Sequence, residues 1–159
     1  MYHVVDGRLV LRETRDEVRG WDPAELAAYV RRIEALLDAG GVALGAWDGA
    51  RLVGLGTLDV RGVGGDGAVL KLDMLYVDAG HRHRGIGRVL TQRLAAEASA
   101  RGARALYVSA TPTRNTVDAY LRMGARLHPS PDPELLALEP DDVHLLVDVR
   151  SQDSGRSRR

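Results

Sequence analysis

The 159-residue chain has no cysteine and no phenylalanine, and Lys71 is its single lysine among 22 basic side chains. Without cysteine there can be no disulfide, no thiolate metal site and no cysteine nucleophile. Without phenylalanine, the core has to rest on leucine, valine, alanine and isoleucine. Neither sign of charge predominates: 22 acidic residues balance the basic ones. A net charge of zero argues against a dedicated nucleic-acid binder, which needs a basic face for phosphates. No run of about 18 apolar residues occurs, so no membrane span is expected. The opening "MYHVVDGRLV" lacks the apolar core of a secretion signal. Histidines at 3, 81, 83, 128 and 144 show no metal-ligand spacing beyond His81-x-His83, so no metal is expected. These absences together point to a soluble, cytoplasmic protein that engages neither nucleic acid nor membrane.

What is present has the size of one ordinary domain, expected over residues 1–149, with the polar stretch 150–159 as a disordered tail. Asp6-Gly7 and Asp48-Gly49 lie between apolar runs and read as hairpin turns. In "WDPAELAAYVRRIEALLDAGG", Asp22 caps a helix, Pro23 opens it and Glu25 completes a capping box. Leu26, Tyr29, Val30, Ile33 and Leu37 form its apolar stripe, and Gly40-Gly41 end it. "AVLKLDMLYV" reads as a strand, followed by a helix from Gly85 to Gly102. "ARALYVSA" is another strand, "TRNTVDAYLRMG" a short helix and "VHLLVDV" the last strand. Residues 128–142 hold four prolines and five acids and read as a long surface loop. Hairpins followed by alternating strands and helices favour an α/β (α+β) architecture over a doubly wound sheet.

The stretch "HRHRGIGRVL", residues 81–90, crowds basic residues and glycines into the start of a helix. A helix N-terminus carries unpaired backbone N–H groups and partial positive charge, and glycine lets a ligand approach them. Strand, short turn and glycine-opened helix form a geometry used for phosphates. Arg82, Arg84 and Arg88 would add bidentate donors at its rim. The stretch lacks the Gly-Lys-Ser/Thr ending of a P-loop and the third glycine of a dinucleotide fingerprint. Taken alone, it fits a solvated, glycine-softened helix start equally well.

Taken with its surroundings, "LDMLYVDAGHRHRGIGRVLTQRL" resembles the acetyl-coenzyme A binding segment of the GNAT superfamily of N-acetyltransferases. The family pattern there is Arg/Gln-x-x-Gly-x-Gly/Ala, matched by Arg82, Gly85 and Gly87. "LYVSATPTRNTVDAYLRMGARL" resembles the family's next strand and helix, with Tyr120 and Gly124 in the characteristic places. The resemblance is good over residues 42–127 and looser outside them. Ala119 departs from the large apolar residue that commonly precedes the tyrosine. Thr113 stands where the family often has asparagine, with Asn115 nearby; either could cap the helix or meet the cofactor.

The resemblance implies a GNAT fold, a twisted mixed central sheet with helices on both faces. It also implies transfer of acetyl from acetyl-CoA to a primary amine of a small molecule, peptide or protein. The alternative on the same fold is a non-catalytic acyl-CoA-binding or interaction module. The implied cofactor-binding residues are Leu75, Tyr76, Val77, Arg82, His83, Arg84, Gly85, Ile86, Gly87, Arg88 and Asn115. The strand end 75–77 would pair with the amide-rich pantetheine arm, and the Leu75 N–H would stabilise the thioester oxyanion. Tyr120 would protonate the leaving thiolate, a phenol with pKa about 10 being a plausible acid for it, or would be ordinary core. Asp73 would be the general base, or a salt-bridge partner of Lys71; Glu13 and His81 are weaker candidates for that base. Trp21, Asp22 and Tyr29 could line the acceptor site, or serve only as cap and core. The acidic segment 128–142 would cover the acceptor or pack as the arm of a homodimer.

Overall fold

A computed structural model describes residues 1–13, 22–65 and 67–150. Trp21 and the tail from residue 151 lie outside the described residues. A small hairpin of β1 (Tyr2–Val5) and β2 (Arg8–Leu11) turns at Asp6 and Gly7, both at positive φ as a tight hairpin turn requires. Helix α1 (Pro23–Asp38) follows, then β3 (Val42–Asp48), β4 (Arg51–Asp59) and β5 (Val69–Val77). A 3-10 turn at Ala79–His81 leads to α2 (Ile86–Ala100), β6 (Ala105–Ala110) and α3 (Arg114–Arg122). The chain closes with β7 (Arg126–Leu127), α4 (Pro133–Leu138) and β8 (Val143–Asp148).

Six strands form one mixed sheet in the order β3-β4-β5-β6-β8-β7. Every pair is antiparallel except β5 with β6. The expected GNAT-type sheet, helix-covered on both faces, is what is found. Helix α2 covers one face: a side chain at Gly54 or Gly56 would collide with Ile86, Leu90 or Leu94. Helix α1 lies against the other face, where Arg32 reaches Asp73 of β5. The core on the α2 side gathers Leu58, Leu70, Leu72, Leu94, Val108, Val117 and Tyr120, aliphatic almost throughout, as a chain without phenylalanine must be.

Helix ends follow local sequence closely. Asp22 accepts from the Ala24 and Glu25 N–H groups while Glu25 accepts from the Asp22 N–H, the full capping box. Helices α1, α2 and α3 end alike, with Gly40, Gly102 and Gly124 at positive φ. In each, the residue after the glycine donates back to the helix: Gly41 to Leu36, Ala103 to Ala98, Ala125 to Tyr120. The Tyr120-to-Gly124 spacing is therefore a helix-closing device.

Three expectations need correction. The acidic segment 128–142 is not all loop. It contains α4, capped by Asp132, whose carboxylate accepts from the Glu134 and Leu135 N–H groups, with Pro133 at the first position. It also adjoins the two-residue strand β7, read from sequence as part of no element. The apolar stripe of α1 is its buried face only in part: Tyr29 and Ile33 are half-buried, Leu36 beside the stripe is buried, and Leu26, Val30 and Leu37 are exposed. The least exposed line of the helix runs through Tyr29, Ile33 and Leu36, and beside it Arg32 reaches the carboxylate of Asp73.

Gly41 sits where a Cβ would lie 2.6 Å from the Leu36 carbonyl and 2.7 Å from that of Leu58, both backbone atoms. Gly41→Ala should therefore cost about 2 kcal/mol or more of stability, as overpacking against immobile atoms does. Urea denaturation, with a lowered midpoint and unchanged slope, is the check.

Candidate active site

Strands β5 and β6 pair only at Val69–Ala105, Leu70–Leu106 and Lys71–Tyr107, then part. From Leu72 to Val77 the β6-facing backbone of β5 has no strand partner in the sheet, while its other side stays paired with β4 up to Val77–Gly54. The result is a fork in the middle of the sheet. The register against β4 shifts here: Leu58 opposes Leu72, and Thr57 opposes Met74. Asp73 is the extra residue of this bulge. The bulge re-aims the strand, so Leu75 packs toward α2 beside Gly56 and Gly87, while Asp73 turns to α1.

Beyond the fork, β5 ends at Val77, Asp78 caps the 3-10 turn, and the chain turns into α2. His83 (φ +62) and Gly85 (φ +82) are both left-handed, flanking Arg84. Alternation of this kind aims successive N–H groups at one concavity, an anion nest. The first intrahelical bond of α2 runs from the Val89 N–H to the Gly85 carbonyl, so the N–H groups of Ile86, Gly87 and Arg88 precede the helix's own bonding. Gly85 is required by its backbone angle. Gly87 is different: a Cβ there would meet only Val77 and Leu75, at 3.6 and 3.8 Å, ordinary contacts. Nothing in the protein demands glycine at 87, whereas a ligand lying on the helix end would.

Arg84 and Arg88 are exposed at this end, and among the described residues neither forms an ion pair. Cations at a helix N-terminus oppose the helix dipole, and no acidic residue occupies the first turn. Arg82 donates through Nε to the Val77 carbonyl at 3.1 Å, bracing the turn against the strand end. A cavity of about 380 Å³ opens between β3 and the start of α2, lined by Leu44, Ala46, Arg84, Ile86 and Arg93 among others. It lies on the opposite flank of α2 from the fork.

Tyr120 lies on the buried face of α3, 6% exposed, and its hydroxyl has no hydrogen-bond partner among the described residues. Burial pushes its phenol above the ordinary tyrosine range: it keeps its proton at neutral pH, as any tyrosine does, and is a weaker acid than an exposed one. Thr113 resolves one open choice: its Oγ1 accepts from the Thr116 N–H and caps α3, while Asn115 is exposed in the first turn.

Asp73 is heavily engaged. Its carboxylate accepts from Arg32 Nε and Nη2 at 2.8 and 2.5 Å, and Lys71 Nζ lies 3.4 Å away. Lys71 is also 3.7 Å from Glu139 Oε2. Asp142 adjoins this group, its pKa pushed up to about 6 by burial and then by Glu139. Tyr107 bonds His144 Nδ1 at 2.7 Å, and His144 Nε2 donates to the Glu139 carbonyl at 3.2 Å. A buried polar network thus stands at the root of the fork on the α1 side. Arg32, Glu139 and Asp142 in it escaped the sequence reading. Their link to Asp73 and Lys71 spans dozens of residues and leaves no local pattern. Glu13 is exposed, and His81 is engaged by Asp78 and Asp48. Among the described residues there is no helix long and apolar enough to cross a membrane, and no group of three or more acidic or histidine side chains placed to hold a metal.

A model of the acetyltransferase (GNAT) family matches residues 9–125. The chain belongs to the GNAT acetyltransferase family. Solved structures agree on the fold. An aminoglycoside 6'-N-acetyltransferase complexed with coenzyme A superposes with TM-score 0.61 at 17% identity, over 77% of this chain and 80% of that one. Nourseothricin acetyltransferase gives 0.58 at 24% identity, over 70% and 67%. The PaiA N-acetyltransferase of Thermoplasma acidophilum, in complex with coenzyme A, gives 0.58 at 16%, over 80% of each. No curated protein sequence matches the chain.

The acetyltransferase domain offers a direct test of its glycine turn. Gly87→Ala should leave thermal stability unchanged or slightly raised, since alanine favours a helix by about 0.5–1 kcal/mol over glycine. Affinity for CoA in calorimetry should fall by about tenfold or more, the Cβ standing where the ligand would lie.

Proposed function

We propose that this chain is an N-acetyltransferase that moves the acetyl group of acetyl-CoA to a primary amine. The observation that carries the reading is the nest of His83–Gly87 at the start of α2, adjoining a strand whose edge is left open by the fork. One end of the ligand would be a diphosphate on the backbone N–H groups of Arg84 to Gly87, with Arg82, Arg84 and Arg88 about it; Asn115, exposed in the first turn of α3, would be a further contact. The amide-rich arm would lie in the fork as an added strand along Leu75, Tyr76 and Val77. The Leu75 N–H, past the bulge, would meet the oxyanion that forms as the amine attacks the thioester carbon.

Collapse of the tetrahedral intermediate breaks the carbon–sulfur bond and leaves a thiolate. Tyr120 would give that thiolate its phenol proton and regain one from the new amide nitrogen, which must shed its second proton; its hydroxyl has no competing partner among the described residues. The incoming ammonium must lose a proton before it attacks. Asp73 is the carboxylate on the splayed strand, but protonating it would forfeit charge-assisted contacts to Arg32 and Lys71. It would instead orient Lys71 while the proton passes through water to Asp142, whose carboxyl is pushed up to about 6. The segment carrying α4 would border the acceptor amine on the α1 side of the fork.

A panel of aminoglycosides, polyamines and peptides, assayed by CoA release, tests the reading. Turnover of at least one amine is expected. CoA binding with no release across the panel would favour a non-catalytic acyl-CoA-binding module. Tyr120→Phe should lower kcat by about 100-fold, as loss of a general acid does, with CoA affinity unchanged. An equal loss in both would make the tyrosine structural.

A further inference from the structure

His81 sits at the entrance to the turn that forms the nest, between two carboxylates. Its Nδ1 is 2.8 Å from Asp78 Oδ2 and its Nε2 is 3.1 Å from Asp48 Oδ2. An ionised carboxylate only accepts hydrogen bonds, and a neutral imidazole has a single N–H. Satisfying both contacts takes two donors, which only the imidazolium has. The two carboxylates belong to different parts of the fold. Asp78 directly follows β5, is fixed by its N–H to the Val53 carbonyl at 2.9 Å, and caps the 3-10 turn through the Gly80 N–H. Asp48 ends β3, at the hairpin into β4.

We infer that His81 is a positioning residue for the acetyl-CoA donor: its imidazolium ties the β3–β4 hairpin to the start of the 78–85 turn, so that a proton on this ring holds the nest in its binding shape. The inference rests on the reading of that nest as the donor site. The groups facing His81 are few. Asp78 and Asp48 favour the charged ring, while Arg84 and partial desolvation oppose it; Arg51 neutralises the far side of Asp78 at 3.1 Å. The carboxylates win, and the ring holds its proton more tightly than an ordinary histidine. Directly beyond it, Arg82 braces Val77 and His83 enters the left-handed region. Loss of the proton would turn one lone pair toward a carboxylate oxygen, and the hairpin or the turn would let go.

The sign follows from the raised affinity. The clamp is complete below the ordinary histidine pKa of about 6.5 and is lost as pH rises through the higher folded value. By linkage, CoA binding must raise the His81 titration midpoint by the factor that the proton gains in CoA affinity.

The test is calorimetric titration of the full chain with CoA from about pH 6 to about pH 9, beside NMR titration of the histidine rings. The wild type should lose affinity by about five- to tenfold across the His81 transition, the low end of ordinary coupling. His81→Gln should bind weakly at all pH values, without that transition. Asp48→Asn, at a residue whose side chain is 70% exposed, should move the transition to lower pH with the thermal stability little changed. Protonation of the ligand's own phosphates is common to all three proteins and cancels in their differences. If His81→Gln keeps the wild-type pH profile, or Asp48→Asn leaves the transition in place, the clamp is overturned. Failure of the wild type to bind CoA at any pH would overturn the donor site itself, and the clamp with it.

Discussion

A parallel strand pair that stops after three residues governs this molecule. Strands β5 and β6 are joined only from Val69 to Lys71 on one side and Ala105 to Tyr107 on the other. A sheet interior seldom leaves backbone groups unmet, because each one buried without a partner costs roughly as much as a lost hydrogen bond. Here the two strands part, and the gap is held open from both faces. On the α2 face, Leu75 is packed beside Gly56 and Gly87. On the α1 face, the one-residue bulge at Asp73 hands a carboxylate to Arg32 and Lys71, and Glu139 closes the group from α4. The opening is thus a built feature with a hydrophobic wall on one side and a charged one on the other.

This asymmetry assigns labour within the acetyltransferase domain. In the proposed reading, donor recognition would rest on backbone: positive φ at His83 and Gly85 and the open end of α2. Such groups are set by the fold and discriminate little beyond charge and shape. The charged wall at the root of the fork is made of side chains from four separate elements or their flanks, α1, β5, α4 and the start of β8. A site of that kind changes one residue at a time, which would suit the acceptor side in the proposed reading.

Local rules carried the sequence reading a long way. Asp22, Pro23 and Glu25 announce α1; Asp6-Gly7 and Asp48-Gly49 announce hairpins; Gly40, Gly102 and Gly124 close helices where an L side chain would be strained. The fold and the glycine turn were legible for that reason. The composition of 128–142 concealed α4, although Asp132-Pro133 is the same cap and opening as Asp22-Pro23. The apolar stripe of α1 was right only in Tyr29 and Ile33, because the buried line passes on to Leu36 and leaves Leu26, Val30 and Leu37 exposed. The Lys71–Asp73 pair was legible within its strand, but the contacts of Arg32 and Glu139 to it, and of Asp48 to His81, were invisible for a common reason. Each joins distant elements through charges that, in sequence, look like solvated surface.

Lys71 has a consequence of another kind. It is the only lysine of the chain, and its side chain is 12% exposed, hemmed by Asp73 and Glu139. The surface accordingly offers arginine guanidinium groups in place of lysine amines, and guanidinium does not react with thioesters as an amine does. A protein that holds an activated acyl donor for its working life is exposed to slow self-modification. This one has almost nothing on its outside for that reaction to consume.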